Sequence, residues 1–218
     1  MLKLGEKGAI PQRDNETYAV APHIPCGLAT PELLRRIADV AEKYQAKAIK
    51  ITGATRIALI GLQEADIDSV WGELRLDPGA AVGLCVRSVR TCPGTTYCKL
   101  GKQDALGLGL KLDAAYHGKH LPGKFKMAVS GCHLACAESW VRDAGLIGKA
   151  DGWQLVIGGN VGAAPRIAEE LVGGLDDGAA IAAIGKVVDC YARHANKGER
   201  LGKMIDRIGL DLFRDAVS

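Results

Sequence analysis

Two pairs of cysteines constrain this chain more than any other feature. Cys92 and Cys98 stand with five residues between them in "RTCPGTTYCKL", and Cys132 and Cys136 with three between them in "SGCHLAC". If the four thiols form one site, the chain must return across 33 intervening residues to where the first pair sits. Pro93, Gly94 and Gly131 supply turns at both places. Four thiolates from two loops suit an iron–sulfur cluster, because soft sulfur ligands favour iron. The spacings match neither the short two-residue gaps of zinc sites nor the runs of small ferredoxins. A zinc-stapled binding module, a redox pair and plain packing of small apolar thiols remain open on spacing alone. "SGCHLAC" reads as a turn after a strand, opening a helix whose first amides face sulfur. Cys26, Cys85 and Cys190 read as packing residues, in a turn, a strand and a helix face.

Seven cysteines are an odd and clustered set. That is a poor disulfide framework and suits a reducing compartment. The first residues, "MLKLGEKGAIPQRDNE", hold no apolar core of signal-peptide length. No stretch approaches the roughly 18 apolar residues of a membrane span. The reading is therefore cytoplasmic, with no membrane span. A net charge of +3 and 5% aromatic residues argue against a nucleic-acid surface.

Periodicity divides the chain. "TPELLRRIADVAEKY" predicts a helix with Thr30 as cap, Pro31 at the first position, and a stripe of Leu33, Ile37, Val40, Ala41 and Tyr44. "TYAVAPHI", "KAIKIT" and "TRIALIGL" predict strands, and Ile67, Val70, Trp71 and Leu74 mark a second helix stopped by "DPGA". Strand, helix, two strands and helix predict a ferredoxin-like α+β half-domain over residues 1–76. An α/β sheet domain follows over 77–199, with "DPGAAVG" as the boundary and a helical tail over 200–218. In that second region "AVGLCVRS", "KFKMAVS" and "WQLVIGG" predict strands, and "PRIAEELVGGL" and "GAAIAAIGKVVDCYARHANKG" predict helices. The last of these puts Ile181, Ile184, Val188 and Tyr191 inward. "KFKMAVS" also places Lys124 and Lys126 on one side of a strand and Phe125, Met127 and Val129 on the other. By spacing alone that is an ordinary solvated strand face.

Taken together, "TCPGTTYCKLGKQD", "LPGKFKMAVSGCHLACAE" and "GWQLVIGGNVG" resemble the sirohaem-dependent sulfite and nitrite reductases. The resemblance runs from about Tyr18 to about Leu175 and is strongest between Cys92 and Asn160. It implies a [4Fe–4S] cluster held by Cys92, Cys98, Cys132 and Cys136, with Cys136 bridging to the sirohaem iron. It implies that Lys124 and Lys126 line the substrate side of the haem. "KITGATRIAL" is similar to the family's "RLTTRQ" stretch and places Arg56 at the substrate, although Lys50 and Ile57 depart from that pattern. "CVRSVRTC" resembles the arginine-bearing strand before the first cysteine and nominates Arg87 as the second anion contact. Arg90, Thr91, Thr95, Thr96, Asn160 and Arg166 are implied neighbours of the haem carboxylates, and Gly158 and Gly159 let the backbone approach the cofactor.

The implied activity is six-electron reduction of sulfite to sulfide. A sirohaem nitrite reductase is the nearest alternative, and a non-haem iron–sulfur carrier or sulfur-relay protein is the next. "GLGLKLDAAYHG" is no dinucleotide fingerprint, so electrons are expected from a separate donor protein such as a ferredoxin or cytochrome. The chain holds about one copy of a unit that most family members carry twice. A monomer or small homo-oligomer is expected.

Overall fold

Thr30 opens the first helix as expected. Its hydroxyl accepts the Leu33 amide at 3.2 Å, and Pro31 takes the first helical position. In this computed structural model, which describes residues 1–217, the chain divides into two compact units, the second beginning at Leu84.

The first unit is built from strands β1 (Ala9–Pro11) and β2 (Tyr18–Val20), helix α1 (Pro31–Lys43), strands β3 (Ala48–Ile51) and β4 (Ile57–Leu62), and helix α2 (Ile67–Leu74). Its antiparallel sheet runs β1-β2-β4-β3. Apart from β1 this is the predicted order of strand, helix, two strands and helix. β1 lies beside β2, where a strand following α2 would complete a ferredoxin-like layer. Tyr18, Val20, Ile37, Val40, Leu59, Leu62, Val70 and Leu74 form its core. Each such side chain contributes about 1.5–3 kcal/mol on burial, against about 1 kcal/mol for the Thr30 cap. The apolar stripes therefore stabilise this unit far more than the cap does. α2 ends at Arg75, in the left-handed region at φ 52° with its amide on the Trp71 carbonyl, before "DPGA" is reached.

The second unit carries β5 (Val86–Thr91), the single turn α3 (Gly94–Tyr97), α4 (Ala105–Tyr116), β6 (Phe125–Ser130), β7 (Ala144–Lys149), β8 (Gly152–Ile157), β9 (Glu169–Leu175), α5 (Asp177–His194), α6 (Leu201–Ile208) and α7 (Asp211–Val217). The sheet order is β5-β6-β7-β8-β9, with β5, β6 and β7 parallel and the rest antiparallel. Alternation along the strands separates two faces. Phe125, Met127 and Val129 share one face with Val89, Ala144 and Leu146. α4 packs on this side of β5 and β6, and the Phe125 ring meets Tyr191 of α5 at 5.4 Å. Lys126, Ala128 and Ser130 share the other face with Ser88, Arg90, Gly145 and Ile147. A 3-10 turn at Ser139–Val141 lies against this second face. It fits because Gly145 has no Cβ: one built there would sit 2.3 Å from the Ser139 carbonyl oxygen.

Four segments differ from expectation. "PRIAEELVGGL" is not a helix; its latter part is the edge strand β9, paired to β8. "SGCHLAC" opens no helix. The chain turns instead, with Ala135 at φ 51° and Glu138 at φ 62°, both incompatible with helix continuation. β7 and α4 carry glycines that mask them in sequence: Gly145 and Gly148 in the strand, Gly107 and Gly109 in the helix. Among the described residues, no helix is long and apolar enough to cross a membrane.

Candidate functional site

Both cysteine pairs lie just beyond the carboxyl ends of adjacent parallel strands, where open α/β sheets place their ligands. Thr91 and Val129 are register partners, so Cys92 and Ser130 follow side by side, and the Cys92 amide donates to the Val129 carbonyl at 3.2 Å. The two loops are tied directly. Lys102 and Gln103 donate to the Gly131 carbonyl at 2.7 and 3.1 Å, and the Gly131 amide points at Cys92 Sγ at 3.1 Å. A Cβ on Gly131 would sit 2.7 Å from Gly94 Cα, so glycine is required for the loops to close on each other. Cys98 ends the turn of α3, with its amide on the Gly94 carbonyl at 2.9 Å. Cys132 is buried and Cys136 exposed.

The second loop is itself the β6–β7 crossover, and buried serines hold its shape. Ser139 Oγ donates to the Leu146 carbonyl at 3.0 Å, so Ser130 Oγ donates to Ser139 Oγ at 2.8 Å and accepts the Ala137 amide at 3.2 Å. Both serines are fully buried, where an orphaned polar group costs about 1–3 kcal/mol. Ser130→Ala removes the middle of this chain. We expect its melting temperature to fall by several degrees in a thermal melt, with faster oxidation of the Cys132–Cys136 loop.

Cations gather on the face of β5 and β6 that leads to these loops. Lys124 and Lys126 are half-buried on that side, as the alternation predicted. Arg87 is the extra residue of a β-bulge, since Val86 pairs with Phe125 but Ser88 with Lys126. Bulges re-aim side chains and recur beside functional sites. Burial, then Arg87 and Arg200, push the Lys124 ammonium down from its ordinary value. Burial, then Arg142, Lys124 and Arg200, do the same for Lys126. Burial lowers Arg87, and Arg200 adds to the effect. Arg90 donates to Glu138 Oε2 at 2.7 Å, and Arg142 shares that oxygen. Arg142 is 4% exposed and its Nε has no partner among the described residues. Asp143, fully buried, accepts the Lys126 amide at 2.8 Å and a two-pronged bond from Arg200. Burial pushes its carboxyl up while Arg200 and that amide pull it back. All three partners are donors, so the carboxylate is the form that fits.

Arg87, Arg90, Lys124, Lys126, Arg142 and Arg200 thus gather near Glu138 and Asp143, six cations around two carboxylates. Sequence reasoning missed Arg142, Asp143 and Arg200. No motif flags them; Arg142 sits in a turn and Arg200 reaches the sheet from a distant segment. Arg56 belongs to the first unit, where it is 7% exposed and packed beside Gly79.

The "GGN" stretch ends β8. A Cβ on Gly158 would meet Arg166 Nη1 at 2.6 Å, and one on Gly159 the Trp140 carbonyl oxygen at 2.5 Å. The space these glycines leave is filled by the protein itself. Arg166 braces the loop, donating to the Gly158 carbonyl at 3.1 Å and pairing with Glu169 and Asp206. Asn160 exchanges backbone hydrogen bonds with Arg166 at 2.9 Å. Thr95 and Thr96 are exposed; Thr96 donates to Asp104, the cap of α4, at 3.0 Å. Thr91 closes β5, half-buried.

The donor set suits a four-iron cluster: free thiols at two strand ends, and an amide already aimed at one sulfur. Among the described residues no three His, Cys, Asp or Glu side chains converge on one point. A cubane takes each thiolate at a different iron, so its donors surround a volume instead. The gathering of cations, with Arg142 Nε unpartnered among the described residues, suits a large polyanionic cofactor.

Comparison with known proteins agrees with this chemistry. Residues 82–218 match the family described as nitrite and sulphite reductase 4Fe-4S domain, and residues 10–76 match the nitrite/sulfite reductase ferredoxin-like half domain. An assimilatory-type sulfite reductase of Nitratidesulfovibrio vulgaris is 44% identical, covering 97% of both chains. A nitrite reductase [NAD(P)H] of Bacillus subtilis is 38% identical over 91% of this chain, which spans 25% of that protein. The fold resembles dissimilatory sulfite reductase I, with a TM-score of 0.81 at 16% identity, covering 92% of this chain and 69% of that one. The NirA protein of Mycobacterium tuberculosis gives 0.80 at 20% identity, covering 95% of this chain and 42% of that one. Cysteine loops at parallel strand ends, a cationic sheet face beside them and both domain matches lead to one conclusion: the chain belongs to the nitrite and sulphite reductases, oxidoreductases that carry sirohaem and a [4Fe–4S] cluster.

Proposed function

We propose that this protein reduces sulfite to sulfide, with Cys92, Cys98, Cys132 and Cys136 as cluster ligands and Cys136 as the thiolate shared with the sirohaem iron. Hydrogensulfite, six electrons and six protons give hydrosulfide and three waters. When bound, the paired cofactors supply an open iron position and electrons one at a time. The exposure of Cys136 beside buried Cys132 suits the bridging role. The observation that carries the reading is the half-buried cation set of Arg87, Lys124 and Lys126 on the sheet face that ends at the cysteine loops. The near-full-length similarity to a sulfite reductase favours sulfite over nitrite.

Lys124, Lys126 and Arg87 bind the anion and offset the cost of stripping its water. The same cations stabilise charge that develops on each departing oxygen. An ammonium pushed below its ordinary value gives up its proton more readily, so Lys126 Nζ and Lys124 Nζ serve as proton donors to those oxygens. Arg90, Thr91, Thr95, Thr96, Asn160 and Arg166 are assigned to the rim of the tetrapyrrole, with Gly158 and Gly159 shaping the loop beside it. The electron donor is a separate small redox protein. The free thiols suit a cytoplasmic setting.

The test is an absorption spectrum of anaerobically purified protein with iron and acid-labile sulfide analysis, followed by turnover with each anion. Sirohaem bands, a four-iron cluster and faster sulfite than nitrite reduction are expected. A brown protein without haem bands, or a colourless one, would exclude this reading; a preference for nitrite would transfer it to nitrite reduction.

A further inference from the structure

Arg200 approaches the cation set from the far end of the chain, and its position is built. The segment around it is pinned on several sides. The Gly198 amide donates to the Pro122 carbonyl at 2.7 Å, and Tyr191 donates to the Glu199 carbonyl. Gly202 packs so closely on the end of β8 that a Cβ would lie 2.3 Å from the Gly158 carbonyl oxygen. The guanidinium meets Asp143 edge-on, Nε to Oδ1 at 2.9 Å and Nη2 to Oδ2 at 2.6 Å. Asp143 Oδ2 also takes the Lys126 amide at 2.8 Å. One buried carboxylate therefore fixes Arg200 relative to the strand that carries Lys126. A guanidinium bound by one edge keeps the N–H groups of its other edge for a second acceptor. Arg200 also borders a cavity of about 510 Å³ whose walls include Lys124, Asn160, Arg166, Lys203 and Asp206. Four cations face one carboxylate there, and that carboxylate is already paired with Arg166.

Resting on the reading above, we propose that Arg200 is a further anion-binding residue of this site and that Asp143 is its positioning residue. The ligand is an oxyanion, either sulfite or a carboxylate of the tetrapyrrole. Asp143 is needed because an arginine among like charges otherwise swings toward solvent. Held by its inner edge, it stays beside Lys124 and Lys126 with its outer edge presented.

The test compares wild type, Arg200→Gln, Arg200→Lys and Asp143→Asn as purified holoenzymes. Three quantities are read: sirohaem per chain, the sulfite concentration that half-shifts the sirohaem absorption, and KM against kcat. Loss of one charged hydrogen bond predicts about a tenfold weaker anion. If sulfite is the ligand, Arg200→Gln raises the half-shift concentration and KM about tenfold at full sirohaem content, and Arg200→Lys recovers part of the loss. If a carboxylate is the ligand, sirohaem per chain falls and the sulfite half-shift stays put. Asp143→Asn should follow Arg200→Gln in direction. Wild-type values of all three quantities in Arg200→Gln overturn the proposal. So does an equal loss in Arg200→Gln and Arg200→Lys that tracks a lower melting temperature alone. If Asp143→Asn does not fold, the two Arg200 variants decide. A wild-type protein without sirohaem defeats the underlying assignment, a result distinct from any change confined to the variants.

Discussion

Lys126→Met is expected to retain sirohaem and cluster, lose about 100-fold or more in sulfite turnover, and melt higher than wild type when both are free of cofactor. Methionine keeps the length and apolar stem of the side chain and removes its charge. Burial and the neighbours Arg142, Lys124 and Arg200 hold the Lys126 ammonium below its ordinary value of 10.5. In the unfolded chain that value is restored, so the unfolded state binds more protons between the folded value and 10.5. Stability of the cofactor-free protein therefore rises with pH across that window. Lys126→Met should flatten the rise and gain a few degrees at neutral pH, at about 2–4 °C per kcal/mol for a chain of this size. Anion affinity runs in the opposite sense. The proton is lost earlier than from an ordinary lysine, so sulfite affinity should fall at lower alkaline pH. Melting curves and sulfite titrations from pH 7 upward check both; a cofactor-free variant that melts lower, with wild-type turnover after reconstitution, defeats the assignment.

Cys136→Ser is expected to have the largest effect on the cofactors. Cys136 is the exposed thiol of its pair, within the loop that the serine chain shapes. Serine keeps the size of the side chain but replaces a soft sulfur with a hard oxygen that binds iron poorly. Substoichiometric iron, weakened or uncoupled haem bands and turnover near background are the predicted results. Cys190→Ser, on the buried face of α5, tests specificity: it should lower stability while iron and acid-labile sulfide per chain stay unchanged. Normal cofactor spectra in Cys136→Ser would remove it as the bridge.

How much of this was legible in one dimension depends on whether the signal is local. Helix α1 was, because its cap, its proline and its apolar stripe all lie within fifteen residues of sequence and agree. So was the odd–even division of Lys124, Phe125, Lys126 and Met127, since strand geometry alone sends alternate side chains to opposite faces. β9 was not. Ile167, Leu171 and Val172 repeat with nearly helical spacing, and pairing with β8 overrides that local preference. β7 was hidden by glycines whose purpose is tertiary. Gly145 admits the Ser139 turn, and a Cβ on Gly148 would sit 2.5 Å from the Gly131 carbonyl oxygen.

The same distinction runs through the site. By itself the sequence determined the four thiols, their turn residues and the lysine pair, because cysteine type, spacing and strand period are properties of short segments. Only the tertiary structure decided that Arg87 is re-aimed by a bulge, that Glu138 joins Arg90 to Arg142, and that Asp143 joins Lys126 to Arg200. Asp143 and Arg200 are 57 positions apart. Charges separated that far interact only after burial has removed the water between them, and no local pattern encodes which cation a folded chain brings to which carboxylate.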